Sequence, residues 1–129
     1  MFRVLVVDDN VDAAESRATL LELEGHDTRV AHDGDAAIAL AREFQPEIVF
    51  LDIGMPGKDG YEVARALRGK PETQQAVLVA LTGWGAKDDR ARSRSAGFDY
   101  HLTKPAGLAA VEDLLSKMAG TPLAATSVR

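Results

Sequence analysis

The strongest constraint on this chain is an alternation between two apolar periods. Short, nearly unbroken apolar runs stand at VLVV (Val4–Val7), IVFL (Ile48–Leu51) and AVLVAL (Ala76–Leu81). Runs of that kind suit strands covered on both faces, which points to a parallel sheet. Five strand segments follow from this pattern: Arg3–Val7, Asp27–Ala31, Glu47–Leu51, Ala76–Leu81 and Tyr100–Thr103. Between them, apolar residues recur at helical spacing. Ala14, Ala18 and Leu21 mark a helix from about Asp12 to Glu24. Ala37, Leu40, Ala41 and Phe44 mark a second, and Gly60, Val63, Ala64 and Leu67 a third. A fourth, over Ala86–Ala96, has only alanines for an apolar face. Val111, Leu114, Leu115 and Met118 mark the fifth. Gly25, Gly69 and Gly97 sit where helices should stop. A strand–helix unit repeated five times predicts an α/β fold, with helices on both faces of one parallel sheet.

At 129 residues the chain fits one domain. We expect that domain over 1–119. The stretch 120–129 lacks periodicity and reads as a tail or the start of a linker, with no residues left for an output domain. Cysteine is absent, which excludes disulfides and thiolate metal sites. No apolar run approaches the roughly 20 residues of a membrane span, and no secretory signal is visible, so the expected location is the cytoplasm. A formal net charge of −5 argues against non-specific binding to nucleic acid or to anionic lipid. Arg90, Arg92 and Arg94 fit a solvated helix side.

In open α/β sheets the ligand site lies at the carboxyl ends of the strands. Asp8 and Asp9 follow the first strand, Asp52 ends the third, Thr82 follows the fourth, and Lys104 and Pro105 follow the fifth. After the second strand come only His32, Asp33 and Gly34. Three carboxylates at one point are costly unless a cation joins them. Mg²⁺ fits, because it takes oxygen ligands and pairs with carboxylates and phosphate oxygens. Thr82 offers a hydroxyl and Lys104 a point charge for a phosphoryl group. Asp52, alone at the end of the most apolar strand, is the candidate nucleophile for an acyl phosphate, with Asp8 and Asp9 holding the metal. Each piece also has a plain structural role available: Asp8-Asp9 as a helix cap, Asp52 before a turn, Lys104-Pro105 as a helix start.

LVVDDN at Leu5–Asn10, FLDIGMPGKDG at Phe50–Gly60, ALTG at Ala80–Gly83 and LTKP at Leu102–Pro105 occur in this order. In these motifs the chain resembles the receiver domain of two-component response regulators, from about Arg3 to Met118. The stretch GFDYHLTKP is similar to receivers attached to hybrid sensor histidine kinases. The resemblance implies a flavodoxin-like (βα)5 fold with strand order 2-1-3-4-5. It implies a signalling module rather than an enzyme with an external substrate. Asp52 would be the phosphoacceptor. Mg²⁺ would be held by Asp8, Asp9, Asp52 and the Gly54 carbonyl, while Thr82 and Lys104 contact the phosphoryl group and the Lys104-Pro105 bond is cis. Gly54, Gly83, Trp84 and Pro105 would flank the site, and our own expectation is that Trp84 emission changes when Asp52 is phosphorylated. The switch position, three residues before Lys104, is His101, where the family more often has Tyr or Phe. Tyr100, one residue away, should face the other side of the sheet. The implied partner is a sensor histidine kinase or a histidine phosphotransfer domain. The implied output surface spans the fourth helix, fifth strand and fifth helix, and it also offers a route to a homodimer.

Two other classes compete on the residues. A haloacid-dehalogenase-like phosphohydrolase would need an acid two residues after the nucleophile, and Gly54 stands there. A flavodoxin-like FMN module would need a hydroxyl- and glycine-rich loop after the first strand, where this chain has Asp8-Asp9.

Overall fold

The apolar runs form a five-stranded sheet in a computed structural model that describes residues 2–55, 59–82, 94–103 and 108–120. In chain order the elements are β1 (Arg3–Val7), α1 (Val11–Leu23), β2 (Asp27–Ala31), α2 (Gly34–Phe44), β3 (Ile48–Asp52), α3 (Gly60–Arg68), β4 (Val77–Thr82) and β5 (Tyr100–Thr103). Arg94, Ser95 and Ala96 are helical and close the segment expected as the fourth helix, α4 (residues 86–96), whose earlier part lies outside the described residues. The last helix is α5 (Leu108–Gly120), which runs one residue into the stretch read as tail.

The strands are all parallel and ordered β2-β1-β3-β4-β5. This is the order expected of the flavodoxin-like arrangement. β3 is therefore central, and all five of its residues are buried. Strand alternation divides its side chains between two cores. Val4, Val6, Ile48 and Phe50 pack with Ala14 and Leu21 of α1 and Val111 and Leu114 of α5. Leu5, Val7, Val49 and Leu51 pack with α2 and α3. Each fully buried side chain of this kind contributes about 1.5–3 kcal/mol. The sheet thus holds its strand ends in a fixed register.

Helix starts follow local chemistry. Asn10 caps α1, its side chain accepting from the Ala13 N–H at 3.1 Å. Asp33 caps α2 through the Ala36 N–H. Asp59 and Glu62 form a reciprocal capping box at the start of α3. Of the glycines expected at helix ends, Gly25 and Gly97 have positive φ, whereas Gly69 ends α3 with φ −82°. The left-handed residue after α2 is Gln45, at φ 50°.

Gly60 meets a different demand. A Cβ there would lie 2.7 Å from Ile53 Cα and 2.8 Å from the Asp52 carbonyl oxygen. Its N–H donates to the Ile53 carbonyl. Helix α3 thus begins directly against the backbone that carries Asp52.

Candidate functional site

The carboxyl edge of the sheet collects the acids. Val7 pairs in register with Leu51 of β3, so Asp8 and Asp52 emerge side by side. Carboxylate oxygens of Asp8, Asp9 and Asp52 all lie within 4.8 Å of one another. Asp8 and Asp52 are buried, and Asp9 is exposed. By strand parity Asp8 and Asp52 continue the Val4–Val6 and Ile48–Phe50 rows, on the face covered by α1 and α5.

Backbone amides orient two of the acids. The Asn10 N–H donates to Asp8 Oδ1 at 3.0 Å, and the Gly54 N–H donates to Asp52 Oδ1 at 3.0 Å. The capping role considered for Asp8-Asp9 falls instead to Asn10, which leaves those two carboxylates directed at the cluster. A side chain at position 54 would start 3.8 Å from Asp52 Oδ1. Glycine there keeps the approach to this carboxylate open.

Like charges at this separation repel, and a bound cation would lower that cost. The donor set is entirely oxygen. Its spread suits a hard cation that holds carboxylates at about 2.1 Å or through retained waters. Asp8, Asp9 and Asp52 therefore form a site that fits Mg²⁺.

Thr82, at the end of β4, is buried, and its hydroxyl donates to the Leu102 carbonyl at 3.5 Å, a long and weak contact. Ala80 pairs with His101 and Thr82 with Thr103. Thr82 and His101 therefore share a face of the sheet. His101 does not project from an edge strand into solvent. It is half-buried, with Nε2 enclosed, while Tyr100 is exposed on the opposite face. Gly83, Trp84, Lys104 and Pro105, with the expected cis bond, lie outside the described residues. So do Arg90 and Arg92.

Two participants are absent from the motif pattern. His32 Nδ1 lies 3.1 Å from the Asp8 carbonyl oxygen, a hydrogen bond made when that nitrogen carries the proton. Arg17 of α1 places Nη1 3.8 Å from Asp8 Oδ2. The clue to Arg17 lies in α1 itself, where a cation interrupts the apolar spacing of Ala14, Ala18 and Leu21.

Comparison with known proteins identifies the family. A family model described as the response regulator receiver domain matches residues 4–116. A "DNA-binding dual master transcriptional regulator RpaA" of Synechocystis is 34% identical over 118 residues, which is 92% of this chain and 48% of that protein. The "Response regulator PleD" of Caulobacter vibrioides is 38% identical over 106 residues, 80% of this chain and 23% of that protein. The chain thus spans half or less of these relatives. Among solved structures, chemotaxis protein CheY4 of Vibrio cholerae superimposes with a TM-score of 0.86 at 24% identity, over 91% of this chain and 98% of that one.

Proposed function

This chain belongs to the response regulator receiver domain family, and from that premise we propose that Asp52 is the residue on which it accepts a phosphoryl group. The observation that carries the proposal is the meeting of Asp8, Asp9 and Asp52 at the end of the central strand. On this reading Asp8, Asp9, Asp52 and the Gly54 carbonyl hold Mg²⁺. When bound, the ion neutralises the carboxylates and the charge on phosphoryl oxygens in transfer.

The chain's own residues do the rest. The Gly54 N–H fixes Asp52 Oδ1 and so orients the carboxylate toward its donor. A carboxylate oxygen of Asp52 attacks the phosphorus of a phosphohistidine on a sensor kinase or a histidine phosphotransfer domain. An oxygen–phosphorus bond forms as the phosphorus–nitrogen bond breaks, and the imidazole leaves with the electron pair and takes up a proton. Water attacking phosphorus later returns Asp52 as a carboxylate. The chain catalyses only this gain and loss on its own side chain, and it turns over no external substrate.

Thr82 is the residue that reads the modification. Its contact with the Leu102 carbonyl is weak enough to be exchanged for a phosphoryl oxygen, with Lys104 as the second contact. Since Thr82 and His101 share a face, movement of the one changes the space available to the other. The equilibrium of the α4-β5-α5 surface is then biased by the phosphoryl group. That surface would meet a downstream partner or a second copy of the chain, with no direct nucleic-acid or membrane contact. Among the described residues, no helix is long and apolar enough to cross a membrane. We place the chain in the cytoplasm, with residues 1–119 as the receiver and 120–129 as the tail.

The test is to incubate the protein with Mg²⁺ and acetyl phosphate and to follow its intact mass. One phosphoryl group should be added to the wild type, none after chelation of Mg²⁺, and none to Asp52→Asn. Undiminished labelling of Asp52→Asn refutes the assignment.

A further inference from the structure

Arg17 stands where a core residue belongs. On α1, Ala14, Ala18 and Leu21 are buried, and position 17 falls between them on the same stripe at i+3 from Ala14. The Arg17 side chain is 14% exposed, and Nη1 is buried with no hydrogen-bond partner. A cation taken out of water in this way is costly unless an opposite charge lies close by. Here that charge is Asp8, whose Oδ2 lies 3.8 Å from Nη1 and whose side chain is almost wholly enclosed.

The distance identifies the interaction. It exceeds hydrogen-bond reach of about 3.2 Å, so the pair is held by charge and not by the directional fork of the guanidinium. Arg17 cancels one of the three carboxylate charges in the cluster. Its positive charge beside Asp8 lowers the pull of the cluster on an incoming dication.

We infer that Arg17 is a resident counter-cation of the acidic site, pairing with Asp8 and setting the affinity of the site for a divalent cation. This deepens the reading of Asp8, Asp9 and Asp52 as a Mg²⁺ site and rests on it. Arg17 is a positioning residue that acts through Asp8. It holds the metal-free site together and competes, by charge, with the ion that the site takes up.

Calorimetric titration of the full 129-residue chain with Mg²⁺ tests the inference, with the fold of each variant checked by circular dichroism. Arg17→Leu completes the apolar stripe, and Arg17→Gln removes the charge at similar length. Both should bind Mg²⁺ about tenfold more tightly than the wild type, in line with the effect of a charge within a few ångströms. Arg17→Lys keeps the charge and should stay close to the wild type. Tightening in the two neutral variants alone supports the inference, as does Mg²⁺ binding that appears only when the charge is removed. Unchanged or weaker binding by Arg17→Leu and Arg17→Gln overturns it. So does an equal shift in Arg17→Lys, which would make the effect one of packing. If neither the wild type nor any variant binds Mg²⁺, the metal-site reading itself fails, a result distinct from equal binding by all.

Discussion

The two edges of the sheet are built on opposite electrostatic plans. At the carboxyl edge, three acids crowd within 4.8 Å. At the amino edge, Arg68 joins α3 to two loops. It donates twice to the Gly97 carbonyl, once each to the carbonyls of Gln74 and Ala76, and once to Asp99 Oδ2 at 2.7 Å. Asp99 Oδ2 also accepts from the Leu78 N–H, at the start of β4. Gly97 has φ +107°, and a Cβ there would lie 2.7 Å from Arg68 Cγ, so the loop closes on the guanidinium only with glycine. Nearby, Arg3 donates to the Gln45 carbonyl, and its own N–H donates to Glu47. One edge pairs Arg68 with Asp99 and Arg3 with Glu47 and so ties loops to the strands. The other gathers three acids, with Arg17 set against one of them. The site edge tolerates that repulsion because packing and the opposite edge maintain the fold.

The contrast can be broken most severely at Arg68. Arg68→Ala leaves three backbone carbonyls and Asp99 without this donor and should lower unfolding free energy by about 3 kcal/mol in urea titration. The Mg²⁺ affinity of the folded fraction should hardly change, since the acids lie at the far edge. A matching loss of affinity would show that the edges are not independent.

Gly60→Ala couples the edges through backbone. Its Cβ would press on the Asp52 carbonyl oxygen and on Ile53 Cα. It should cost about 2 kcal/mol, as overpacking does, and also weaken Mg²⁺ binding because Asp52 moves. Calorimetry and a urea melt on the same sample measure both.

Asp52→Asn sharpens the contrast from the other side. It removes one of three like charges while keeping an oxygen to accept from the Gly54 N–H. Metal-free stability should rise by about 1 kcal/mol while Mg²⁺ binding weakens. Lower stability in metal-free buffer would mean that the three acids do not repel as their proximity implies.

The smallest effect concerns His26, at the amino edge. Burial lowers its pKa below the usual 6.5, and the N-terminal charge adds to this, with Glu24 opposing. Its Nδ1 accepts from the Phe2 N–H at 3.0 Å, which requires the neutral ring. Because the folded value is depressed, the stability it contributes is present above pH 6.5 and is lost as pH falls through the folded value. Thermal midpoints between pH 7.5 and 5 should show a small acid-side decline that His26→Gln removes.

Much of this was legible before any coordinate. The runs at Val4–Val7, Ile48–Leu51 and Ala76–Leu81 read as buried strands because only residues covered on both faces are apolar at consecutive positions. Asp8, Asp9 and Asp52 stood out because each interrupts or ends such a run. Thr82 and Asp52 prove to be the last residues of β4 and β3, a shift of one position that periodicity cannot resolve at a strand end. His101 stood out in the chain only by its place three residues before Lys104. Whether its Nε2 is enclosed depends on neighbours distant in sequence.

The order of apolar periods, the identity of the acids at strand ends and the glycine at position 54 are properties of the chain itself, because spacing and side-chain chemistry are local. The partners of Asp8 are not. Asn10 rather than Asp9 caps α1, His32 reaches the Asp8 carbonyl from the bend after β2, and Arg17 turns its charge inward from a stripe that otherwise packs on the sheet. Each depends on how helix and strand ends are set against one another in space. Electrostatic balance at a site is a sum over neighbours, and only the folded chain chooses them.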